Sequence, residues 1–192
     1  MPKPKGPAGA PPAGDASAGA ECKAGPRSGP AFRILGVDPG LAALGWGLVE
    51  ARGGRLRHLA HGRFATKAGE PMEERLLAIY GFLEELIAEW KPGAAAMEGL
   101  FFSRNVTSAL PVAEAKGVIR LAFVRSGLAL AEYSPTAVKQ AVVGTARAEK
   151  EQVQEMVRLL LGLAEAPKPD HAADALAVAI CRWHHETPLL KK

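Results

Sequence analysis

The chain has 192 residues, which fits a single domain, and its content of 48% hydrophobic and 23% charged residues is that of an ordinary globular protein. No apolar run reaches the roughly 18 residues that a membrane helix needs, and no apolar stretch follows the basic start, so we expect neither a membrane span nor a secretory signal. The formal net charge of +4 permits a nucleic-acid partner but does not require one.

The beginning of the chain differs in composition from the rest. Residues 1–30 are dominated by Pro, Gly and Ala and show no apolar period, so we predict a disordered tail. Its cations would allow loose contact with DNA, although a solvated tail without a partner is an equally good interpretation. We therefore predict one folded domain over residues 31–186, followed by a short C-terminal tail over 187–192.

Three short apolar segments open the domain and predict neighbouring strands. They are FRILGVD, LGWGLVE and LRHLAHGRFA. Tight turns are expected between them at Gly40 and at Gly53–Gly54, because glycine-rich pairs favour hairpin connections.

The following segments alternate between helix and strand. Met72–Trp90 is the clearest predicted helix, since apolar side chains recur at helical spacing and Pro92 stands just beyond its end. AAAME and LALAEY predict two further strands. A helix is expected between these two strands, near 107–125, and three helices near 135–142, 148–161 and 170–184 complete the chain. This order indicates an α/β layer fold whose later strands run parallel to the first.

Acidic residues stand where two of the predicted parallel strands end. Asp38 closes the first strand and Glu98 closes the fourth, so both carboxylates are expected at the carboxyl edge of the sheet, where ligands bind. Near the C-terminus, PDHAADALAVAI places His171 and Asp174 on one helix face. Carboxylates this close together require a cation, and with a histidine they suit Mg²⁺ or Mn²⁺. Two such ions per subunit would serve phosphodiester hydrolysis by water.

Each of these residues also has a simpler structural interpretation. Asp38 would stabilise the turn at Pro39–Gly40, and Glu98 would pair with a lysine. Asp170 is expected to be the N-cap of the last helix, a position that Asp favours. His171 would then be an ordinary surface side chain.

The chain resembles the RuvC family of bacterial Holliday-junction resolvases from about Phe32 to His184. The resemblance lies in four blocks that follow one another at the family's spacing: ILGVDPGLAALGWGLVE, MEGLFFSRN, VKQAVVGTARAEKEQVQEMV and PDHAADALAVAI. It implies a ribonuclease-H-like α/β fold with a five-stranded mixed sheet flanked by helices. It also implies a homodimeric, Mg²⁺- or Mn²⁺-dependent endonuclease that resolves four-way DNA junctions by symmetric paired nicks, in partnership with the branch-migration proteins RuvA and RuvB.

The resemblance assigns a role to each of the acidic residues and to His171. It makes Asp38, Glu98 and Asp174 catalytic metal ligands. His171 occupies the remaining site position, where many family members have Asp, so it either binds metal or orients the attacking water. Asp170 is next to His171 in the chain and is a candidate to support the metal ligands without binding an ion itself.

Five further residues are predicted to contact DNA. The resemblance makes Phe101 a wedge that stacks on a base where the junction opens. Burial of Phe101 or Phe102 in the core is the alternative interpretation. Arg104 would reach a phosphate or be solvated. The resemblance places Lys139 and Lys150 beside the DNA backbone, where they would neutralise phosphate charge.

The helix near 107–125 carries small residues that let another backbone approach: Ala109, Ala113 and Gly117. The resemblance implies that this helix helps form the dimer, and close packing on the chain's own sheet is the alternative. Symmetric cutting needs two sites related by a two-fold axis. Because the 2 cysteines form no CxxC pattern, we expect a reducing, cytoplasmic compartment.

Three other functions compete with junction resolution. An actin-like or sugar-kinase-like ATPase would need two such domains and a second phosphate loop, and the sequence has no GxxxxGK[ST] motif. A non-catalytic junction-binding module would lose its ligands, whereas here every site position but one is acidic, and that one is His. A ribonuclease-H-like nuclease acting on another branched or hybrid substrate remains open.

Overall fold

A mixed sheet organises the chain, in a computed structural model that describes residues 31–99 and 106–186. Its strands are β1 (Phe32–Asp38), β2 (Ala43–Arg52), β3 (Arg55–Ala65), β4 (Ala94–Glu98) and β5 (Ala129–Tyr133), and their spatial order is β3-β2-β1-β4-β5. The first three strands are antiparallel neighbours, while β4 runs parallel to both β1 and β5. The predicted five-stranded mixed sheet is therefore confirmed. The tails predicted over 1–30 and 187–192 lie outside the described residues.

Helices cover both faces of this sheet in the described ranges. They are α1 (Met72–Trp90), α2 (Val106–Arg125), α3 (Pro135–Val143), α4 (Lys150–Leu161) and α5 (Asp170–Glu186). One buried cluster joins α1 and α2 to the sheet, and a second joins α3, α4 and α5 to its other face. None of the described helices has both the length and the apolarity needed to cross a membrane.

The sequence of β1 explains why it lies in the middle of the sheet. Side chains alternate between the two faces of a strand, and a strand covered on both faces reads as a continuous apolar run. Ile34 accordingly belongs to the cluster under α5, whereas Leu35 and Val37 belong to the cluster under α1 and α2. Asp38 follows this run, so it emerges at the carboxyl edge of a firmly buried strand.

Glycines let α5 lie directly on the backbone of β1 and β2. A Cβ added at Gly45 would overlap the carbonyl oxygen of His171, and one at Gly36 would overlap the carbonyl oxygen of Ala175. A Cβ at Gly47 would overlap the side chain of Leu176. The first turn of α5 is therefore held close to the end of β1.

One helix start and one capping role differ from the sequence prediction. Helix α4 begins at Lys150 rather than at residue 148, because the side chain of Gln152 accepts a hydrogen bond of 2.8 Å from the amide of Glu149. The N-cap prediction for Asp170 is wrong. The carbonyl of Pro169 accepts the amide hydrogens that open α5, so Asp170 occupies the first helical position.

Candidate metal centre

Three of the predicted ligands meet at the carboxyl edge of the sheet. Asp38 is the last residue of β1, and His171 and Asp174 lie one turn apart at the start of α5. Each offers one ligand atom, and these atoms all lie within 4.8 Å of one another. We call these three residues the ligand cluster. Two carboxylates and an imidazole at this range form a donor set suited to a divalent cation.

A short hydrogen bond orients the imidazole within the ligand cluster. Nδ1 of His171 lies 2.6 Å from Oδ2 of Asp38. Beside an ionised carboxylate, which can only accept, a neutral imidazole donates its Nδ1–H and keeps the lone pair on Nε2. The side chain of His171 is 47% exposed, so the ring is only partly covered by the protein.

Glu98 stands beside the ligand cluster on the neighbouring strand. Strands β1 and β4 are paired in parallel with Val37 opposite Met97, so Asp38 and Glu98 follow at adjacent strand ends. Burial and the negative charges of Asp38 and Asp174 raise the pKa of Glu98 to about 7. Within the described ranges Glu98 is not one of the three residues of the ligand cluster. It nevertheless lies in the same negative field, which a bound cation would neutralise.

Lys150 makes ion pairs at the rim of the ligand cluster. Its Nζ lies 3.0 Å from Oδ2 of Asp170 and 3.6 Å from Oδ2 of Asp174. The hydrogen bond from Lys150 holds the pKa of Asp170 below its usual range. Burial raises the pKa of Asp174, while Lys150 opposes that rise. Lys150, predicted to bind DNA, therefore lies directly at the candidate site, and Asp170 lies next to it.

The other predicted DNA contacts divide into two groups. Lys139 lies on α3 and is half-buried, and its positive charge lowers the pKa of Glu98, which indicates proximity to the site. Phe101, Phe102 and Arg104 lie outside the described residues. Their roles stay predictions.

Lys116 is a residue that the sequence reasoning missed. It lies on α2 and is 2% exposed, and burial lowers its pKa. Its Nζ donates a hydrogen bond of 2.8 Å to the backbone carbonyl of Glu98. Its spacing from Ile119 and Phe123, three and seven residues further on, is the signal that could have revealed its buried position, because such residues share one helix face.

Comparisons with known proteins agree with one another. The family model described as "Crossover junction endodeoxyribonuclease RuvC" matches residues 34–182. The RuvC of Heliobacterium modesticaldum is 56% identical over 154 residues, which cover 80% of this chain and 95% of that protein. The structure of Thermus thermophilus RuvC is 38% identical with a TM-score of 0.74, and covers 80% of this chain and 95% of its own.

A second Thermus thermophilus structure shows RuvC in complex with a Holliday junction substrate. It is 36% identical with a TM-score of 0.74, and covers 80% of this chain and 94% of its own. These structural matches confirm the predicted ribonuclease-H-like α/β fold. The matched residues include every candidate site position.

Proposed function

The chain belongs to the RuvC family of metal-dependent crossover junction endodeoxyribonucleases, and we propose that it resolves four-way DNA junctions by symmetric paired nicks. The observation that carries this proposal is the ligand cluster, whose three ligand atoms lie within 4.8 Å of one another beside Glu98. Water is the attacking group, and the phosphodiester bond is the one that breaks.

The donor set at this site fits Mg²⁺ or Mn²⁺, and we propose two ions per subunit. Carboxylate oxygens suit both cations, and the imidazole of His171 makes Mn²⁺ a comfortable alternative. When bound, such ions activate water and stabilise the charge on the leaving oxygen. The raised pKa of Glu98 agrees with this assignment, because burial first and then the charges of Asp38 and Asp174 disfavour its ionised form, which a bound cation would favour.

His171 has a defined orientation but two candidate roles. Its Nδ1–H donates to Asp38, so Nε2 is the atom available for chemistry. We propose that Nε2 is a metal ligand, because a donated Nδ1–H is the usual companion of a metal-binding imidazole. The alternative is that Nε2 orients the attacking water and accepts its proton.

Lys139 and Lys150 are proposed to bind the phosphates next to the scissile bond. Lys150 now pairs with Asp170 and Asp174, and its side chain is 47% exposed. Cations bound by Asp174 would neutralise that carboxylate and leave the ammonium of Lys150 for a phosphate. From the resemblance, Phe101 and Phe102 are proposed to stack on unpaired bases and Arg104 to reach the backbone.

A homodimer through α2 is proposed from the exposed face of that helix. Leu110, Leu121 and Val124 are 59%, 52% and 70% exposed, and their spacing puts them on one face with Gly117. A Cβ at Gly117 would meet nothing within 4 Å, so this glycine does not serve packing on the chain's own sheet. The face therefore suits a two-fold partner. RuvA, RuvB and a cytoplasmic location stay predictions from the resemblance and the composition.

The experiment that tests this function compares nucleic-acid substrates that share one base sequence and differ in their branching or in having an RNA strand. A synthetic four-way junction, a fork, a duplex and an RNA–DNA hybrid are each incubated with Mg²⁺ and with Mn²⁺. We expect opposed nicks in the four-way junction alone. Preferred cleavage of the hybrid would support the alternative ribonuclease-H-like nuclease, and binding without any cleavage would support a non-catalytic module.

A further inference from the structure

Lys116 is a buried lysine whose ammonium reaches the backbone of a proposed metal ligand. It is 2% exposed, and its Nζ lies 2.8 Å from the carbonyl oxygen of Glu98 and 3.3 Å from Oε2 of Glu132. Lysine is rarely buried to this extent, because removing an ammonium from water costs free energy unless it is paired. The role of Lys116 therefore follows from its two partners, the carbonyl of Glu98 and the carboxylate of Glu132.

The two partners lie at the ends of neighbouring strands. Glu98 is the last residue of β4, and Glu132 is the second-last residue of β5. One residue beyond the end of β4, the amide of Gly99 donates a hydrogen bond of 2.8 Å to the carbonyl of Tyr133 in β5. The end of β4 is thus held to β5 through Gly99, and to α2 through the ammonium of Lys116.

Stability alone does not explain a lysine at this position. Replacing a buried ion pair by apolar side chains of similar size is often neutral or stabilising. Ile119 and Phe123 show that the surrounding face of α2 is apolar, so a methionine would be well accommodated. What only a long cation supplies here is a strong donor to the carbonyl of Glu98.

We propose that Lys116 is a positioning residue of the metal centre. Its hydrogen bond fixes the end of β4, so that the carboxylate of Glu98 is held where it can share cations with Asp38 and Asp174. Small displacements of such ligands are costly, and groups that orient ligands from outside typically contribute about 10–100-fold to metal affinity. This role rests on the proposed metal centre and acts through Glu98 alone.

The test measures Mn²⁺ binding by the full chain on an uncleavable four-way junction, by isothermal titration calorimetry and electron paramagnetic resonance. The variants are Lys116→Met and the matched control Arg120→Met. Arg120 also pairs with Glu132, and no hydrogen bond or ion pair joins it to Glu98 in the described residues. We expect Lys116→Met to lose at least about tenfold in Mn²⁺ affinity. Its thermal midpoint should stay close to the parent's, because Glu132 is 31% exposed and keeps its ion pair with Arg120. Arg120→Met should keep the parental affinity.

Parental Mn²⁺ affinity in Lys116→Met would overturn the positioning role, and so would an equal loss in Arg120→Met. If Lys116→Met does not fold, Glu132→Gln tests the same support from its other end. There, a loss of about threefold or more supports the role and a parental value overturns it. If the parent binds no Mn²⁺, the metal centre itself is refuted. If the parent and the variant bind Mn²⁺ equally, only the positioning role of Lys116 is refuted.

Discussion

Nδ1 of His171 lies 2.6 Å from Oδ2 of Asp38, although 133 positions separate the two residues in the chain. The bond joins the end of the central strand β1 to the first turn of α5. Asp174 follows one turn later on the same helix face, so one contact aligns the whole ligand cluster. An imidazole held in this way is oriented before any ion or substrate arrives.

Replacing Asp38 tests the cluster most simply. Asp38→Asn keeps the shape of the side chain but removes its charge, so the variant should bind four-way junctions and cut them at least about 100-fold more slowly. Gel shift and a nicking assay on a labelled junction measure the two properties. Glu50→Gln, at the far end of β2, is the matched control and should cut normally. Full activity in Asp38→Asn would remove Asp38 from the site.

His171→Asp separates the two roles of the imidazole. If Nε2 is a ligand, an aspartate oxygen replaces it, and cleavage continues with a preference shifted toward Mg²⁺. Cleavage rates across Mg²⁺ and Mn²⁺ titrations measure this shift. Inactivity with both metals would show that the imidazole is required for another step.

Glu98 predicts a pH dependence of stability in the metal-free protein. Its pKa is raised from 4.5 to about 7, so folding retains a proton that the unfolded chain releases. The stability associated with protonated Glu98 is therefore complete below pH 4.5 and is lost as the pH rises through about 7. Glu98→Gln should unfold at a higher temperature than the parent at pH 8 and at a similar one at pH 4.5, as calorimetry can measure. A constant difference across this range would contradict the assigned shift.

The glycine contact under α5 is also testable. Gly45→Val would push against the carbonyl of His171, so we expect a loss of about 1–3 kcal/mol in the free energy of unfolding and slower cleavage. Gly81→Ala is the control, because a Cβ there meets nothing within 4 Å. Denaturant titrations and nicking rates measure both effects. Unchanged behaviour of Gly45→Val would mean that α5 does not depend on this close approach.

The exposed face of α2 predicts the oligomeric state. Val124→Glu places a charge on the proposed interface, so the variant should sediment as a folded monomer where the parent sediments as a dimer. Leu159→Glu, on the exposed face of α4, is the control and should stay dimeric. A Val124→Glu variant that remains dimeric would place the interface elsewhere.

Local sequence signals predicted several elements to the residue. The bounds of β1, α1 and β4 match their predictions, because Pro39–Gly40, Pro71 and Pro92 mark their ends. Asp38 and Glu98 could be placed at one sheet edge for the same reason. Neighbouring residues in the sequence mark where each strand ends, and the parallel pairing of β1 and β4 then brings Asp38 and Glu98 together.

Other features depend on contacts between distant segments. The burial of Lys116 arises only when α2 packs beside Glu132 and Glu98, and a lone lysine in a helix otherwise suggests solvent. The pairing of Asp170 with Lys150 likewise requires α4 and α5 to meet, and it replaces the N-cap role expected from residue type. The close approach of α5 to Gly45 also depends on distant residues, because a glycine in a strand does not indicate which segment lies across it.

A crystal structure of the full chain bound to Mn²⁺ and an uncleavable four-way junction tests the metal centre most directly. Anomalous scattering from manganese should appear between Asp38, Glu98, His171 and Asp174, next to the phosphate at the nicking position. Manganese density located elsewhere, or these four side chains pointing away from one another in the complex, would contradict the assignment.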